Sequence, residues 1–245
     1  MSNPYAVVRD FEQALADYTG APHVVTVTSC TSAILLACAW HFKHTQPRRA
    51  SGILLPDSLN KTVSLPCFTY VGVPMSIIHA GGRPTFRDEQ WRGAYQLKPY
   101  PIWDCARWLY AEMYKGDTKI AHHDRDDPSA HYRITLPVDC TGNMLCLSFH
   151  HTKHLGISTH GGAILTDDAE AAAWLRRARF DGRTEGVAPK DDTFAHLGWH
   201  ANMQPPTAAE GLMRLKLLPR ETEPLPWGPE TNSDYKDLST LSIFK

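Results

Sequence analysis

Apolar positions along the chain come in short runs whose spacing switches between helical and strand-like. Val7 and Val8, Phe11, Leu15 and Tyr18 share one helical face, with Asn3-Pro4 as a start signal and Gly20 as a stop. VVTVT (24–28) is a continuous run that predicts a buried strand, and SCTSAILLACAWHF (29–42) predicts a largely apolar helix. Further strands are expected at TVSLP (62–66), RPTFRD (83–88), YPIW (100–103), RITLPV (133–138), NMLCLSF (143–149) and GGAILT (161–166). Further helices are expected around 73–81, over CARWLYAEMY (105–114) and over two segments opened by capping boxes. The boxes are Asp167-x-x-Glu170, before a helix that Gly182 ends, and Thr207-x-x-Glu210, before a helix that Pro219 ends. The stretch 45–62 is mostly loop. The tail carries Pro219, Pro224, Pro226 and Pro229 and is expected to be an extended or partly disordered arm.

Strands alternating with helices predict an α/β fold in three layers, with helices on both faces of a mostly parallel central sheet. Ligands in such sheets sit beyond the carboxyl ends of the strands. That rule selects three corners: Ser29 to Ser32, Asp104, and Ser148 to Lys153. The first offers hydroxyls and a helix N-terminus to a phosphate, although Ser and Thr are also ordinary caps. The second offers a carboxylate that can hold a proton on a heterocyclic nitrogen, or simply cap a helix. The third, in SFHHTKHLGISTHGGAIL (148–165), places Lys153 in a short connection between two apolar runs. A lysine shielded from water there has a lowered pKa and can form a Schiff base; a solvated hairpin lysine is the ordinary alternative.

Composition narrows the classes. The formal net charge of −1 gives no electrostatic reason to expect nucleic acid or an anionic membrane as partner. No apolar run reaches the length of a membrane span, and the first residues, MSNPYAVVRDFEQ, carry charge where a signal peptide would be apolar. The six cysteines include no C-x-x-C pair, so they read as buried thiols of a cytoplasmic protein. His150, His151 and His154, with His122 and His123 upstream, raise a metal site as an alternative. Adjacent histidines on a strand point to opposite faces and no cysteine pair accompanies them, so no metal is expected.

Five segments in order resemble the large domain of the DegT/DnrJ/EryC/StrS sugar aminotransferases, pyridoxal phosphate (PLP)-dependent enzymes of fold type I. They are FEQALADYTGAPHVVTVTSCTSAI (11–34), SLPCFTYVGVPMSIIHAGGRPTF (64–86), PIWDCARWLYAEMYKG (101–116), MLCLSFHHTKHLGISTHGGAILTDD (144–168) and HLGWHANMQPPTAAEGLMRLKLL (196–218). The resemblance implies a PLP-binding large domain over 1–218 with an aspartate aminotransferase-like fold, followed by the arm 219–245. It implies Lys153 as the Schiff-base lysine and proton shuttle, and Asp104 as partner of the pyridine nitrogen. Cys30, Thr31 and Ser148 would bind the phosphate, Tyr70 would stack on the ring, and Arg107 would approach the ring hydroxyl. His200 would complete the neighbour's phosphate pocket in a homodimer with shared sites. The implied reaction moves an amino group from a donor such as glutamate to a keto group of a sugar-nucleotide-like or other small substrate. Alternatives are other PLP chemistry (decarboxylation, elimination, dehydration) and a binding or regulatory protein that kept the fold without turnover. The chain departs from the family pattern at Cys30, where glycine is usual, and at Arg107, where Gln or His is usual. It departs again at His200 and Asn202, usually Asn and Arg, and after Leu218, where a small C-terminal domain normally follows.

Overall fold

Residues 3–44, 61–116, 140–225 and 235–245 are described by the structure, a computed structural model. Helix α1 (Ala6–Thr19) buries Val8, Phe11, Leu15 and Tyr18, and Gly20 ends it at φ 75°, its N–H reaching Ala16 O. There follow β1 (His23–Val27), α2 (Cys30–His44), β2 (Thr62–Pro66), α3 (Gly72–His79) and β3 (Arg83–Arg87). The chain continues through β4 (Tyr95–Gln96), β5 (Ile102–Asp104), β6 (Met144–Ser148), β7 (Gly162–Thr166), α4 (Ala169–Ala178) and α5 (Pro205–Leu215).

The strands separate two apolar layers by simple alternation. Val24, Leu145, Leu147, Ala163 and Leu165 face one cluster, which α1 and α5 complete through Phe11, Leu15, Ala208 and Leu215. Val25, Val27, Met144, Cys146 and Ile164 face the other, completed by Ile34 and Leu36 of α2, Ile77 of α3 and Leu175 of α4. The expected three layers, helices on both faces of a sheet, are present.

The sheet is not mostly parallel among the described strands. Its order is β1-β7-β6-β5-β4, and only β5 and β6 run parallel; the other three pairings are antiparallel. The reason lies in the connection 149–161. It contains no crossover helix, so β6 and β7 return as a hairpin-like pair with Leu147 opposite Ala163. β2 and β3 form a separate parallel pair with α3 as crossover. That pair is tied to the rest by reciprocal bonds between Ser64 and Lys98.

Other expectations are corrected. Residues 105–114 form turns, not a helix. Trp108, Leu109, Tyr110, Met113 and Tyr114 are all buried, so there is no polar face. The segment's backbone groups are met from outside: Ala111 N–H by Arg220 O, Glu112 N–H by Tyr18 O and Tyr114 N–H by Thr19 O. Neither capping box forms. Asp168 caps α4, accepting from Ala171 N–H, while Asp167 accepts from Gly142 N–H and Tyr114 Oη–H. Helix α5 starts two residues early, on Pro205-Pro206, and Glu210 accepts from Ser158 instead. The expected strand 133–138, Pro226 and Pro229 lie outside the described residues. The described parts of the tail pack back. Residues 219–225 lie along the 105–114 turns, with Leu225 N–H bonded to Arg107 O, and Leu238 is buried with its N–H on Cys67 O.

One buried ionic group joins three elements. Arg179, just past α4, donates to Glu12 of α1 and to Thr26 O of β1 at 2.6 Å. The same Glu12 oxygen accepts from Thr26 N–H and Oγ1–H, both at 2.9 Å. Removing one partner of such a group leaves a charge without water or counter-ion. Arg179→Ala should therefore cost about 3–5 kcal/mol, read as a lowered denaturation midpoint. An unchanged midpoint would mean that solvent reaches Glu12.

Candidate functional site

Strand β1 ends at Val27, β5 at Asp104 and β6 at Ser148, and these carboxyl ends open onto one cavity of ≈ 300 Å³. That volume lies at the small end of the range for ligand pockets, about 300–1,000 Å³. The three corners singled out by strand-end position are thereby brought together: Cys30 and Thr31, Asp104 with Arg107, and Ser148 with Lys153 all line it.

The first wall is the start of α2. Ser29 Oγ accepts from Ser32 N–H at 3.0 Å, the bond of an N-cap, and Ser32 Oγ also contacts Thr28 Oγ1 at 2.9 Å. The turn packs directly on β7, where a Cβ at Gly162 would lie 2.5 Å from Ser29 C and 2.6 Å from Cys30 N. Glycine at 162 is what lets this helix end approach the sheet. The Cys30 side chain is turned down to the cavity floor, its Sγ 3.5 Å from Cys146 O and 3.8 Å from Asp104 Oδ1. Burial and the nearby Asp104 push the thiol well above its ordinary pKa, so it stays protonated. The first amides of a helix have no carbonyl partner within it, and here Ser29 Oγ meets that of Ser32.

Asp104 forms the floor and is 5% exposed. Its Oδ1 accepts from Ala106 N–H at 2.9 Å and its Oδ2 from Tyr95 Oη–H at 2.8 Å. Burial raises its pKa, and the Ala106 N–H, the Tyr95 hydroxyl, Lys153 and Cys30 all act against that rise. Lys153 also lines the cavity, on a turn closed by its own N–H to His150 O at 2.8 Å. Burial pulls the Lys153 pKa down, and the Arg107 guanidinium adds to this, while Asp104 acts the other way. A partly shielded lysine and a buried carboxylate therefore line one cavity and interact electrostatically.

Tyr70 stands at the mouth, 57% exposed, above Gly72, where a Cβ would come 2.6 Å from its ring. His200 lies elsewhere. It is exposed, pairs with Asp181 through Nδ1 and Oδ2 at 2.9 Å, and does not line this cavity. Asn202 is buried, its Nδ2 donating to Tyr5 Oη at 3.4 Å. His150 and His160 also line the cavity, with ring centroids 5.3 Å apart. Among the described residues no three His, Cys, Asp or Glu side chains are grouped to hold a metal, and His122 and His123 lie outside those residues.

Thr69, Trp91, Tyr95, His160 and Tyr235 line or floor the site without having been singled out in the sequence. Thr69 lies inside the F-T-Y triplet and was within reach. Tyr95 and Tyr235 carried no motif, and only chain return brings them in.

The donor set matches what PLP requires of a protein: a helix start with hydroxyls for a phosphate, an anion for a ring nitrogen, an aromatic cover, and an amine of lowered pKa. The cysteine at position 30 does not fill the place, because its side chain points to the floor.

Comparison with known proteins points the same way. A model of the DegT/DnrJ/EryC1/StrS aminotransferase family matches residues 1–100 and 137–224. The spore coat polysaccharide biosynthesis protein SpsC of Bacillus subtilis (strain 168) is 25% identical over 236 residues, 86% of this chain and 57% of its own. The UDP-4-amino-4-deoxy-L-arabinose–oxoglutarate aminotransferase of Shewanella sediminis (strain HAW-EB3) is 24% identical over 261 residues, 94% of this chain and 61% of its own. The chain thus spans about three-fifths of the length of the curated relatives it matches. The crystal structure of a sugar aminotransferase of Micromonospora echinospora has the same fold, with TM-score 0.58, 18% identity, and coverage of 86% of this chain and 60% of that one. Among the described residues no helix is long and apolar enough to cross a membrane. The family-model match covers most of the sequence and takes in two of the cavity's three corners, with Asp104 just past the end of its first stretch: the chain belongs to the DegT/DnrJ/EryC1/StrS aminotransferase family.

Proposed function

We propose that this chain is a PLP-dependent transferase that moves an amino group from an amino acid to a keto group of a sugar-nucleotide-like or other small substrate. The observation that carries the reading is the placement of Lys153 and Asp104 on one cavity with the start of α2. When bound, PLP supplies an electron sink for carbanion chemistry at the amino-bearing carbon. The first-turn amides of α2, with Thr31 and Ser148, hold the phosphate, and Tyr70 covers the ring. Asp104 keeps a proton on the ring nitrogen. Lys153 Nζ, uncharged at lower pH than an ordinary lysine, would be the amine that holds the cofactor's aldehyde, with loss of water, and the base that would move a proton at the substrate carbon. An oxoglutarate aminotransferase among the relatives favours glutamate as donor.

The catalytic unit in this reading is the PLP-binding domain 1–218, joined by the described parts of the arm 219–245, of which Tyr235 lines the cavity. A second copy completes it. His200 is exposed and does not line its own cavity, which leaves it available to a neighbour. All six cysteines are free, which suits a cytoplasmic setting.

Reduction of the PLP-loaded protein with borohydride, followed by peptide mapping, should place the pyridoxyl group on Lys153, and Lys153→Ala should lose both label and turnover. Glutamate should convert the bound cofactor to its amine form. Label on another lysine, or a spectrum indifferent to every amino donor, would refute the assignment. Competitive acetylation of the cofactor-free protein tests the electrostatics. The labelling midpoint of Lys153 should fall below the 10.5 of an ordinary lysine, because burial and Arg107 disfavour its cation. Arg107→Gln should move that midpoint up and Asp104→Asn should move it down. Gly162→Ala forces β7 and the start of α2 apart, so PLP retention should drop at least ~10-fold in equilibrium dialysis while far-UV helicity is kept.

A further inference from the structure

The stretch between β3 and β5 brings to the cavity floor side chains that no motif announces. β4 pairs with β5 in the register that sets Tyr95 opposite Asp104 and Gln96 opposite Trp103. A slip of one residue would turn the Tyr95 ring to the other face of the sheet. In the observed register its hydroxyl lies 2.8 Å from Asp104 Oδ2 and 2.8 Å from Thr69 Oγ1. Tyr95 is 3% exposed and Thr69 2%. The ring is fixed from its side by Trp91, edge-on at 4.6 Å between centroids, and Trp91 Nε1–H is itself bonded to Phe68 O.

The direction of this chain of hydroxyls follows from its end. An ionised carboxylate only accepts, so Tyr95 donates to Asp104 and Thr69 donates to Tyr95. We propose that Tyr95, held by Thr69, is a positioning residue that keeps the Asp104 carboxylate ionised and aimed into the cavity, and so sets its grip on a heteroaromatic cation. The inference rests on the PLP reading for the identity of that cation, not for the hold itself.

Removing water from Asp104 favours its neutral form, and every donor to it favours the charged form. Ala106 N–H and the distant Cys30 thiol serve Oδ1. On Oδ2 the Tyr95 hydroxyl is the bond among the described residues, and it is a stronger donor than a thiol. With both oxygens bonded, rotation of the carboxyl group is restrained. Burial and the Asp104 charge push the Tyr95 hydroxyl well above its ordinary pKa, so it remains a donor throughout the working range.

The test is a titration of Asp104 in cofactor-free protein carrying ¹³C-labelled aspartate, with the resonance assigned by its loss in Asp104→Asn. Tyr95→Phe should raise the titration midpoint by about one pH unit, the worth of one hydrogen bond to a charged acceptor. Thr69→Val should shift it the same way by less, and Thr69→Ser should restore the wild-type value. PLP retention should weaken roughly tenfold in Tyr95→Phe. A thermal melt accompanies each variant; should Tyr95→Phe unfold, the Thr69 pair carries the test. Wild-type midpoints in Tyr95→Phe and Thr69→Val, with intact melts, overturn the proposal. A shifted midpoint in a protein that takes up no PLP would uphold the hold on Asp104 and refute the proposed function instead.

Discussion

Asp104 is a carboxylate from which nearly all water has been removed, and the local architecture is organised around meeting it. Its burial pushes it toward the neutral form. Three elements answer that cost from different directions: the turn after β5 through Ala106 N–H, β4 through Tyr95, and the start of α2 through the Cys30 thiol. Lys153 adds a positive charge from the β6–β7 connection. The Ala106 N–H is local, but Tyr95, Cys30 and Lys153 come from other elements, and Tyr95 arrives only in the observed β4–β5 register. The chemistry of the cavity and the topology of the sheet are one problem.

The pull between Asp104 and Lys153 is made asymmetric by their surroundings. Asp104 has hydrogen-bond donors close by, which oppose its burial. Lys153 has the Arg107 cation, which works with burial to lower its pKa. Burial raises Asp104 and lowers Lys153, and the donors around Asp104 oppose its rise, so one cavity holds a carboxylate supported in its charged form and an amine that gives up its proton more readily than an ordinary lysine. Arg107, the departure from the family pattern, thus has a definite electrostatic effect.

Close approach is the second constraint. The start of α2 rests on β7 with no room for a side chain at 162, and Tyr70 rests above Gly72 in the same way. The two glycines decide where the helix end and the aromatic cover stand, although neither takes part in bonding. The Glu12–Arg179–Thr26 group holds α1, β1 and α4 together behind them. It uses charge where a hydrocarbon core would have served, and in doing so fixes the register of β1 relative to two helices.

Periodicity by itself determined most of the elements. The face of α1 and the runs that became β1, β6 and β7 follow from residues near in sequence, and so does the position of Cys30, Asp104, Ser148 and Lys153 at or just past strand ends, where they line the cavity. It failed where backbone partners come from afar. Residues 105–114 read as a helix, yet their amides bond to the end of α1 and to the tail, and the capping residues were displaced by bonds to Gly142, Tyr114 and Ser158. Strand direction was likewise undecided locally: apolar runs do not tell a hairpin return from a crossover. Tyr95, Thr69 and Tyr235 became site residues only through tertiary structure, since a cross-strand register and a returning tail are properties of pairing, which no single stretch of sequence carries.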